Sequence, residues 1–401
     1  MRIAVVSPFL DRRHGAERCV VEQIEHFCRK ADTEVHIYSQ AVRDLETVPY
    51  SRKAQPGGPS AKPVWHHLPS LPGPHLFNFL WWFISNTLLR WYHRKFRSLS
   101  YEVVYSPGIN CFDADAIVVH VVFHEFFRHV RESLRLRGAP LRSWPATVHR
   151  ILYYRLLMFL ETRIYPNRRI RLAAVSELTA RELRATARRD DVSVIPNAVD
   201  AAKFNPEARL RRRQQTRAVF CFEESDFVLL LIGNGWKNKG LEVLLQALAR
   251  LRQSSLKLLV AGRDDRAPFQ AQMCALQIES QVVFAEPSAE VMQFYAAADA
   301  YAGPSLHDSF ALPPLEAMAC GLPVITSAQN GGSQIITDGV DGYVLNDPLD
   351  AAKLAKQIQA ISQQPDLCRD IGLKAAYTAR SYTWENNAER TWSFLMEVFN
   401  K

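Results

Sequence analysis

The 401-residue chain has no uninterrupted apolar run of the roughly 20 residues that a membrane-spanning helix needs. Residues 3–10 form a short apolar run closed by Asp11, Arg12 and Arg13, without a small-residue cleavage site, so they read as a buried first strand rather than a signal peptide. Its seven cysteines, at 19, 28, 111, 221, 274, 320 and 368, form neither Cys-x-x-Cys pairs nor metal-ligand spacings, and their number is odd. A disulfide framework and a structural zinc are therefore not expected, and a reducing compartment is. No strand-like run leads into Gly-x-Gly-x-x-Gly at a helix start; Gly57 and Gly58 are a pair within a Pro-rich loop. That argues against a NAD-dependent oxidoreductase. Basic residues are dispersed and match no reading module, so nucleic acid is not an expected partner.

What is present is ordinary globular material, 48% hydrophobic and 22% charged, long enough for two or three lobes. The net charge of +8 is unevenly placed: residues 1–200 hold 29 Lys and Arg against 19 Asp and Glu, and the rest hold 20 against 22. Eleven of the twelve histidines also precede residue 150. A first half at +10 beside a second at −2 suggests an acidic partner such as phospholipid or a phosphorylated glycan, or else a solvated arginine-rich surface. Residues 76–91, LFNFLWWFISNTLLRW, are too short and too often interrupted to span a bilayer. Arg90, His93, Arg94, Lys95 and Arg97 surround their end, so the stretch reads either as a helix lying on a membrane interface or as one buried along one face.

Strand-like runs at 2–6, 34–38, 102–105, 116–122 and 172–175 alternate with helical patterns such as 16–30 and 177–187. Residues 49–74, with seven prolines and three glycines, read as a long loop. A second series follows the Pro-Asn turn in DVSVIPNAVDAAKF (191–204): strands at 227–232, 256–261, 281–285, 300–302 and 322–326, with helices at 240–252, 267–276, 288–298 and 313–320. Alternation of this kind predicts an α/β protein of two Rossmann-like parallel-sheet lobes, with ligand expected in the cleft they face. The lobes are placed at 1–200 and 201–381, and a closing helix at 382–401 returns to the first.

In PSLHDSFALPPLEAMACG (304–321), Pro313 and Pro314 suit the first turn of a helix. Its free N–H groups, with the amides of Phe310, Ala311 and Leu312, would then make an anion site. Glu316 is assigned to that first turn, where it would either accept hydrogen bonds from a vicinal diol or merely compensate the helix dipole. Asp308 stands eight residues earlier.

This segment resembles the signature of the retaining GT-B glycosyltransferases of family 4, a carboxylate followed by a short turn and, eight residues on, a Glu. LLLIGNGWKNKGLEVLLQALARL (229–251) is similar to that family's strand, Gly-rich loop and Lys-Gly helix start. LKLLVAG at 256–262 and the glycines at 331, 332, 339 and 342 match its later elements, and SPFLDRRHGAER (7–18) resembles its first glycine loop. The resemblance implies that Lys239, assisted by Lys237 and Gly233, meets a donor diphosphate, that Asp308 holds sugar hydroxyls and that Glu316 holds the ribose. It places Gly15 near the donor phosphate or acceptor and His120, with His124 as a rival, against the donor sugar. Asp308 where Glu is usual, Ala311 in place of a glycine and Asn234 in place of an arginine depart from the pattern.

The implied reaction is metal-independent transfer of a hexose, with retention, from a nucleotide-sugar, a UDP-sugar foremost, to a glycan or lipid-linked acceptor. The donor is substrate, and no other cofactor is implied. No Asp-x-Asp motif is convincing, and no carboxylate is assignable as the nucleophile that a double displacement would place about 5 Å from its acid partner. Same-face attack assisted by the departing phosphate is the expectation. The acceptor would be a lipopolysaccharide-type glycan met by the first lobe, with the protein in the cytoplasm against the inner membrane face. A nucleotide-sugar epimerase of the same architecture, or a non-catalytic sugar-nucleotide-binding partner subunit, are the alternatives.

Overall fold

The computed structural model describes residues 1–12, 15–50, 62–131 and 144–400; Arg13, His14, Gly57 and Gly58 lie outside them. The chain divides into two units, Met1–Pro196 with Trp384–Lys401, and Asn197–Thr383.

The first unit runs β1 (Arg2–Val6), β2 (Phe9–Leu10), α1 (Gly15–Cys28), β3 (Glu34–Ser39), β4 (Ala41–Val42), β5 (Val48–Pro49), β6 (Val64–His67) and α2 (His75–Phe96). It continues through β7 (Val103–Ser106), β8 (Ala116–Val119), α3 (Phe123–Val130), α4 (Trp144–Ile164), β9 (Arg171–Ala174), α5 (Glu177–Ala187) and β10 (Val192–Val194). Eight strands form one parallel sheet in the order β10-β9-β8-β7-β1-β3-β6-β5, and β2 pairs with β4 separately. Strands covered on both faces must be apolar throughout, and Ile3 to Val6 and Ala116 to Val119 are buried without alternation. Ser176 caps α5 by accepting from the Thr179 amide at 3.1 Å. The last helix, numbered α13 below, is also part of this unit: buried Gln23 donates to Asn387 Oδ1 at 2.9 Å and to Thr391 Oγ1 at 3.1 Å.

Three expectations are corrected here. The strand expected over 116–122 stops at Val119, and His120 to Val122 lead out of it toward α3. The expected loop 49–74 contains β6, whose residues pair in parallel with His36–Ser39. Arg90 and His93 are not part of an exposed cationic cluster: Arg90 forks onto Asp113 at 2.7 and 2.9 Å, and Tyr38 Oη lies 2.7 Å from His93 Nδ1. The other side of α2 is open, with Phe77, Trp81, Ile84, Leu88, Trp91 and Phe96 exposed at helical spacing. No helix among the described residues is long and apolar enough to cross a membrane.

The second unit runs α6 (Pro206–Val219), β11 (Phe227–Ile232), α7 (Leu241–Leu251), β12 (Leu256–Ala261), α8 (Ala267–Leu276), β13 (Val282–Ala285), α9 (Met292–Ala297) and β14 (Ala300–Gly303). Then come α10 (Leu312–Ala319), β15 (Val324–Ser327), β16 (Tyr343–Leu345), α11 (Ala351–Gln363) and α12 (Pro365–Ala379), before α13 (Trp384–Phe399). Its six parallel strands are ordered β13-β12-β11-β14-β15-β16. The core packs Leu229, Leu231 and Leu258 of the sheet against Leu244 and Leu248 of α7 and Ile358 of α11, all fully buried. The chain winds outward from β11 through β12 to β13, then returns to place β14 on β11's other side. The sheet therefore has its switch point between β11 and β14, where loops after neighbouring strands diverge and leave room for a ligand.

Candidate functional site

Two segments leave this switch point, residues 233–240 after β11 and 304–311 after β14. The first is a compact turn. Lys239 N donates to Gly235 O at 2.9 Å and Leu241 N to Trp236 O at 3.0 Å, while the Trp236 ring is buried in the core. Gly240 sits at φ 83° just before α7, and a Cβ there would lie 2.3 Å from the Pro304 carbonyl oxygen. Only glycine adopts that conformation freely and lets the two segments touch.

Asn238 ties them together. Its carbonyl accepts from Leu306 N at 2.7 Å, and its side-chain amide donates to His307 O at 2.7 Å. The result is a short ion pair, Lys239 Nζ to Asp308 Oδ2 at 2.5 Å, with both side chains largely buried. Residues 69 apart in sequence, which the resemblance assigned separately to phosphate and sugar, are thus direct partners.

Asp308 is held from its other side. Asp308 N donates to Gln329 O at 2.9 Å and Gly331 N to Asp308 O at 2.8 Å. Next to them Asn330, fully buried, accepts from Ala311 N at 3.2 Å and Gly332 N at 3.0 Å through one oxygen and donates to Thr326 Oγ1 at 3.1 Å.

This corrects the expected anion site. The Ala311 amide is spent on Asn330. Because α10 begins at Leu312, Pro313 and Pro314 occupy two of the first three helical positions and have no N–H to offer. The amides left at this helix start are those of Phe310 and Leu312, so most of the positive charge there must come from Lys239. Lys237 is not drawn in: it is exposed, 3.9 Å from Glu242.

Glu316 is the fifth residue of α10, beyond the first turn, so it is not placed as a dipole-compensating residue. It is 8% exposed and accepts a 2.6 Å hydrogen bond from Tyr295 Oη of α9. Burial, then the adjacent Glu316 charge, push the Tyr295 phenol well above its ordinary value, so it stays a donor to that carboxylate. Tyr301 of β14 completes the group. Its buried hydroxyl has no hydrogen-bond partner among the described residues, and burial followed by the Asp308 and Glu316 charges raises its pKa. Asn234, standing where the resemblance expects an arginine, accepts from the Arg263 amide at 2.9 Å and so braces the turn after β12.

Sequence reasoning missed Asn238, Asn330, Tyr295 and Tyr301. Only Asn330 carried a local signal, an Asn directly before Gly331 and Gly332 that marks a side-chain-capped turn. In the first unit, Gly15 is the first residue of α1, and His120 lines a cavity with Nε2 buried and without a hydrogen-bond partner among the described residues. Burial lowers the His120 pKa to about 4, which keeps the ring neutral. His124 instead bonds Glu161, Nδ1 to Oε2, at 2.5 Å.

Residues 212–377 match the family model described as glycosyl transferases group 1. The chain is 28% identical over 225 residues to a lipopolysaccharide 1,2-N-acetylglucosaminetransferase of Salmonella typhimurium, covering 52% of this chain and 58% of that protein. It is 33% identical over 228 residues to a D-inositol 3-phosphate glycosyltransferase of Salinispora arenicola, covering 52% and 49%. The chain spans about half the length of the curated relatives it matches. Among solved structures it resembles WaaG, a glycosyltransferase involved in lipopolysaccharide biosynthesis, with TM-score 0.73 at 18% identity over 98% of this chain and 99% of that one. It also resembles Anabaena Alr3699/HepE in complex with UDP and glucose, with TM-score 0.67 at 18% identity over 99% of each chain. These likenesses show that the paired parallel-sheet units have the GT-B fold.

Proposed function

Because its residues 212–377 belong to the group 1 glycosyl transferases, we propose that this chain moves a hexose from a nucleotide-sugar to a hydroxyl of a glycan or lipid-linked acceptor, with retention of configuration. The observation that carries this reading is the Lys239–Asp308 pair held beside the start of α10 at the second unit's switch point. Breaking a glycosyl–phosphate bond puts negative charge on the leaving diphosphate, and a preorganised ammonium in a largely buried site is the group that stabilises it. A diphosphate there competes for the Lys239 ammonium, freeing the Asp308 carboxylate to accept from sugar hydroxyls. Glu316, with one oxygen bonded to Tyr295, accepts from the ribose diol. The protein's own cation and the Phe310 and Leu312 amides serve the leaving group, so the reaction needs no divalent ion or further cofactor.

UDP is the nucleotide this reading favours, supported by the UDP and glucose complex of the Anabaena neighbour. A lipopolysaccharide-type acceptor is supported by the names of the Salmonella relative and of WaaG. The exposed apolar ridge of α2, with Arg94, Lys95 and Arg97 at its end, supports work in the cytoplasm against an anionic inner membrane face.

Thermal shift with UDP-, GDP- and ADP-glucose tests the donor. Ligand at a hundredfold its Kd stabilises by about 2.7 kcal/mol, so one nucleotide raises Tm by several degrees and Lys239→Ala removes the rise. No shift with any of them would overturn the reading. Interconversion of UDP-sugars without acceptor would indicate an epimerase, and binding without turnover a binding subunit.

A further inference from the structure

Glu161 of α4 is 3% exposed, and a carboxylate held out of water persists only where its charge is compensated. Its partners all lie in one turn of a different element. Oε1 accepts from Phe123 N at 2.6 Å, and Oε2 accepts from His124 N at 3.0 Å and from His124 Nδ1 at 2.5 Å. Phe123 and His124 are the first two residues of α3, whose N-cap residue, Val122, makes no side-chain bond to them. A carboxylate 38 and 37 residues away in sequence therefore takes the place of the cap, with charge-assisted bonds at the positive end of the helix dipole.

Packing alone holds α3 weakly, because none of its eight residues is buried. Among the described residues its ring contacts with α4 are those of Phe126 and Phe127 with Tyr154. What the carboxylate fastens is the wall of a cavity. The sheet order puts β7 and β3 on opposite sides of β1, and a space of about 260 Å³ lies at the carboxyl ends of β1, β7 and β8. One of its walls is the turn itself, through His120, Val121 and Phe123. Another is α4, where Tyr153 and Leu157 line it at the four-residue spacing that leads on to Glu161. Glu161 thus stands where the two walls meet and joins them by three bonds. An apolar side chain could fill the same space, but it would not fix the direction in which the chain leaves β8 after Val119.

We propose that Glu161 is a positioning residue: it fixes the turn between β8 and α3, and so holds the wall formed by His120, Val121 and Phe123 in the geometry that turnover needs. Being buried, it meets no substrate itself. The inference rests on the glycosyltransferase reading for the turnover, but not for the anchoring. Misplacing a wall of the active cavity by about 1 Å costs up to roughly a hundredfold in rate. A loosened turn therefore lowers kcat, while the nucleotide held by the second unit binds as before.

The test uses the full chain with Glu161→Leu, which keeps the volume, and Glu161→Gln, which keeps the volume and one acceptor oxygen. Hydrogen exchange is followed over residues 119–127. Release of nucleoside diphosphate gives kcat and KM with whichever of UDP-, GDP- and ADP-glucose the thermal shift selects. In Glu161→Leu the Phe123 and His124 amides should exchange about ten- to a hundredfold faster, the loss of a hydrogen bond to a charged group. Its kcat should fall about 10- to 100-fold with donor KM changed less than about twofold. Glu161→Gln should lie between it and the parent protein on both counts, and decides alone if the leucine variant does not fold. Val192→Ala, in the same core but on β10, two strands from β8, is the comparison for stability: it should lower Tm and leave both kcat and exchange in the turn unchanged. Unchanged exchange in both Glu161 variants would overturn the anchoring. Faster exchange with unchanged kcat, or an equal fall of kcat in Val192→Ala, would overturn the positioning role. Faster exchange in Glu161→Leu, in a protein that turns over no nucleotide-glucose, would uphold the anchoring and sink the transferase reading instead.

Discussion

Replacing Asn330 by alanine tests whether the donor site is held by one buried amide. Its Oδ1 accepts from Ala311 N and Gly332 N, and its Nδ2 donates to Thr326 Oγ1, with Asn330 and Thr326 fully buried. Alanine leaves two buried N–H donors without partners. Thr326 loses least, because its hydroxyl still donates to Gly303 O at 3.2 Å. An orphaned buried donor costs about 1–3 kcal/mol, so two cost roughly 2–6; water entering the space left behind recovers part, and a net 2–4 kcal/mol is the expectation. That is a large share of a domain's usual 5–15 kcal/mol. The direct assay is hydrogen exchange over residues 306–316. The Ala311 amide should exchange about 30- to 700-fold faster, the same energy expressed as an opening constant. Because Gly331 N also bonds Asp308 O, the looser turn should weaken UDP-sugar binding as well. Asn330→Asp keeps the oxygen that accepts both amides and should preserve most of the protection. Unchanged exchange and stability in Asn330→Ala would refute the reasoning, as would equal damage from both substitutions.

Gly240→Ala should be worse than any loss of a single contact, since the new methyl meets the Pro304 carbonyl at 2.3 Å and the residue sits at φ 83°; urea unfolding followed by circular dichroism should show the second unit destabilised by more than about 2 kcal/mol. Tyr295→Phe removes the 2.6 Å donor to Glu316 while keeping the ring, and should raise the KM for nucleotide-sugar several-fold with kcat changed less, as steady-state kinetics would show. The first unit should lose stability in acid. Burial holds His66 at about 2 and His93 at about 4 and also lowers His36, whose Nδ1 lies 2.8 Å from His66 Nε2. The unfolded chain takes up protons first, from near pH 6.5 downward, so stability present above that pH is lost as pH falls toward 4; thermal melts at pH 7.5, 6 and 5 should show it, and His66→Phe should flatten the trend. Changing exposed Trp81 and Leu88 of α2 to glutamate should abolish sedimentation with anionic liposomes at low salt without altering UDP-sugar binding.

The parallel α/β units were legible because largely buried strands are apolar runs ended by glycine, unbroken in β11 and interrupted in β12 only by Lys257, and a helix pattern follows each. β6 was hidden because four residues, Val-Trp-His-His, after a Pro-rich stretch carry no periodicity of their own; its pairing with β3 makes it a strand. Asp308, Lys239 and Glu316 were legible one at a time, as residue types next to glycine and proline signals. That Lys239 and Asp308 form one unit was not, since it depends on β14 entering the sheet beside β11 after two intervening strands, and strand order leaves no local trace. Asn238 and Asn330 escaped for a related reason. An asparagine in a loop reads as a turn former, whereas here each satisfies backbone groups of a segment distant in sequence. The helix start teaches the converse. Pro313 and Pro314 marked the beginning of α10 correctly within one residue, yet the ring nitrogens that make proline a good starter are the same atoms that cannot donate to a phosphate. A proline-led helix therefore needs a separate cation to hold a diphosphate, and the glycine turn after β11 holds the Lys239 ammonium against Asp308, four residues before that helix starts.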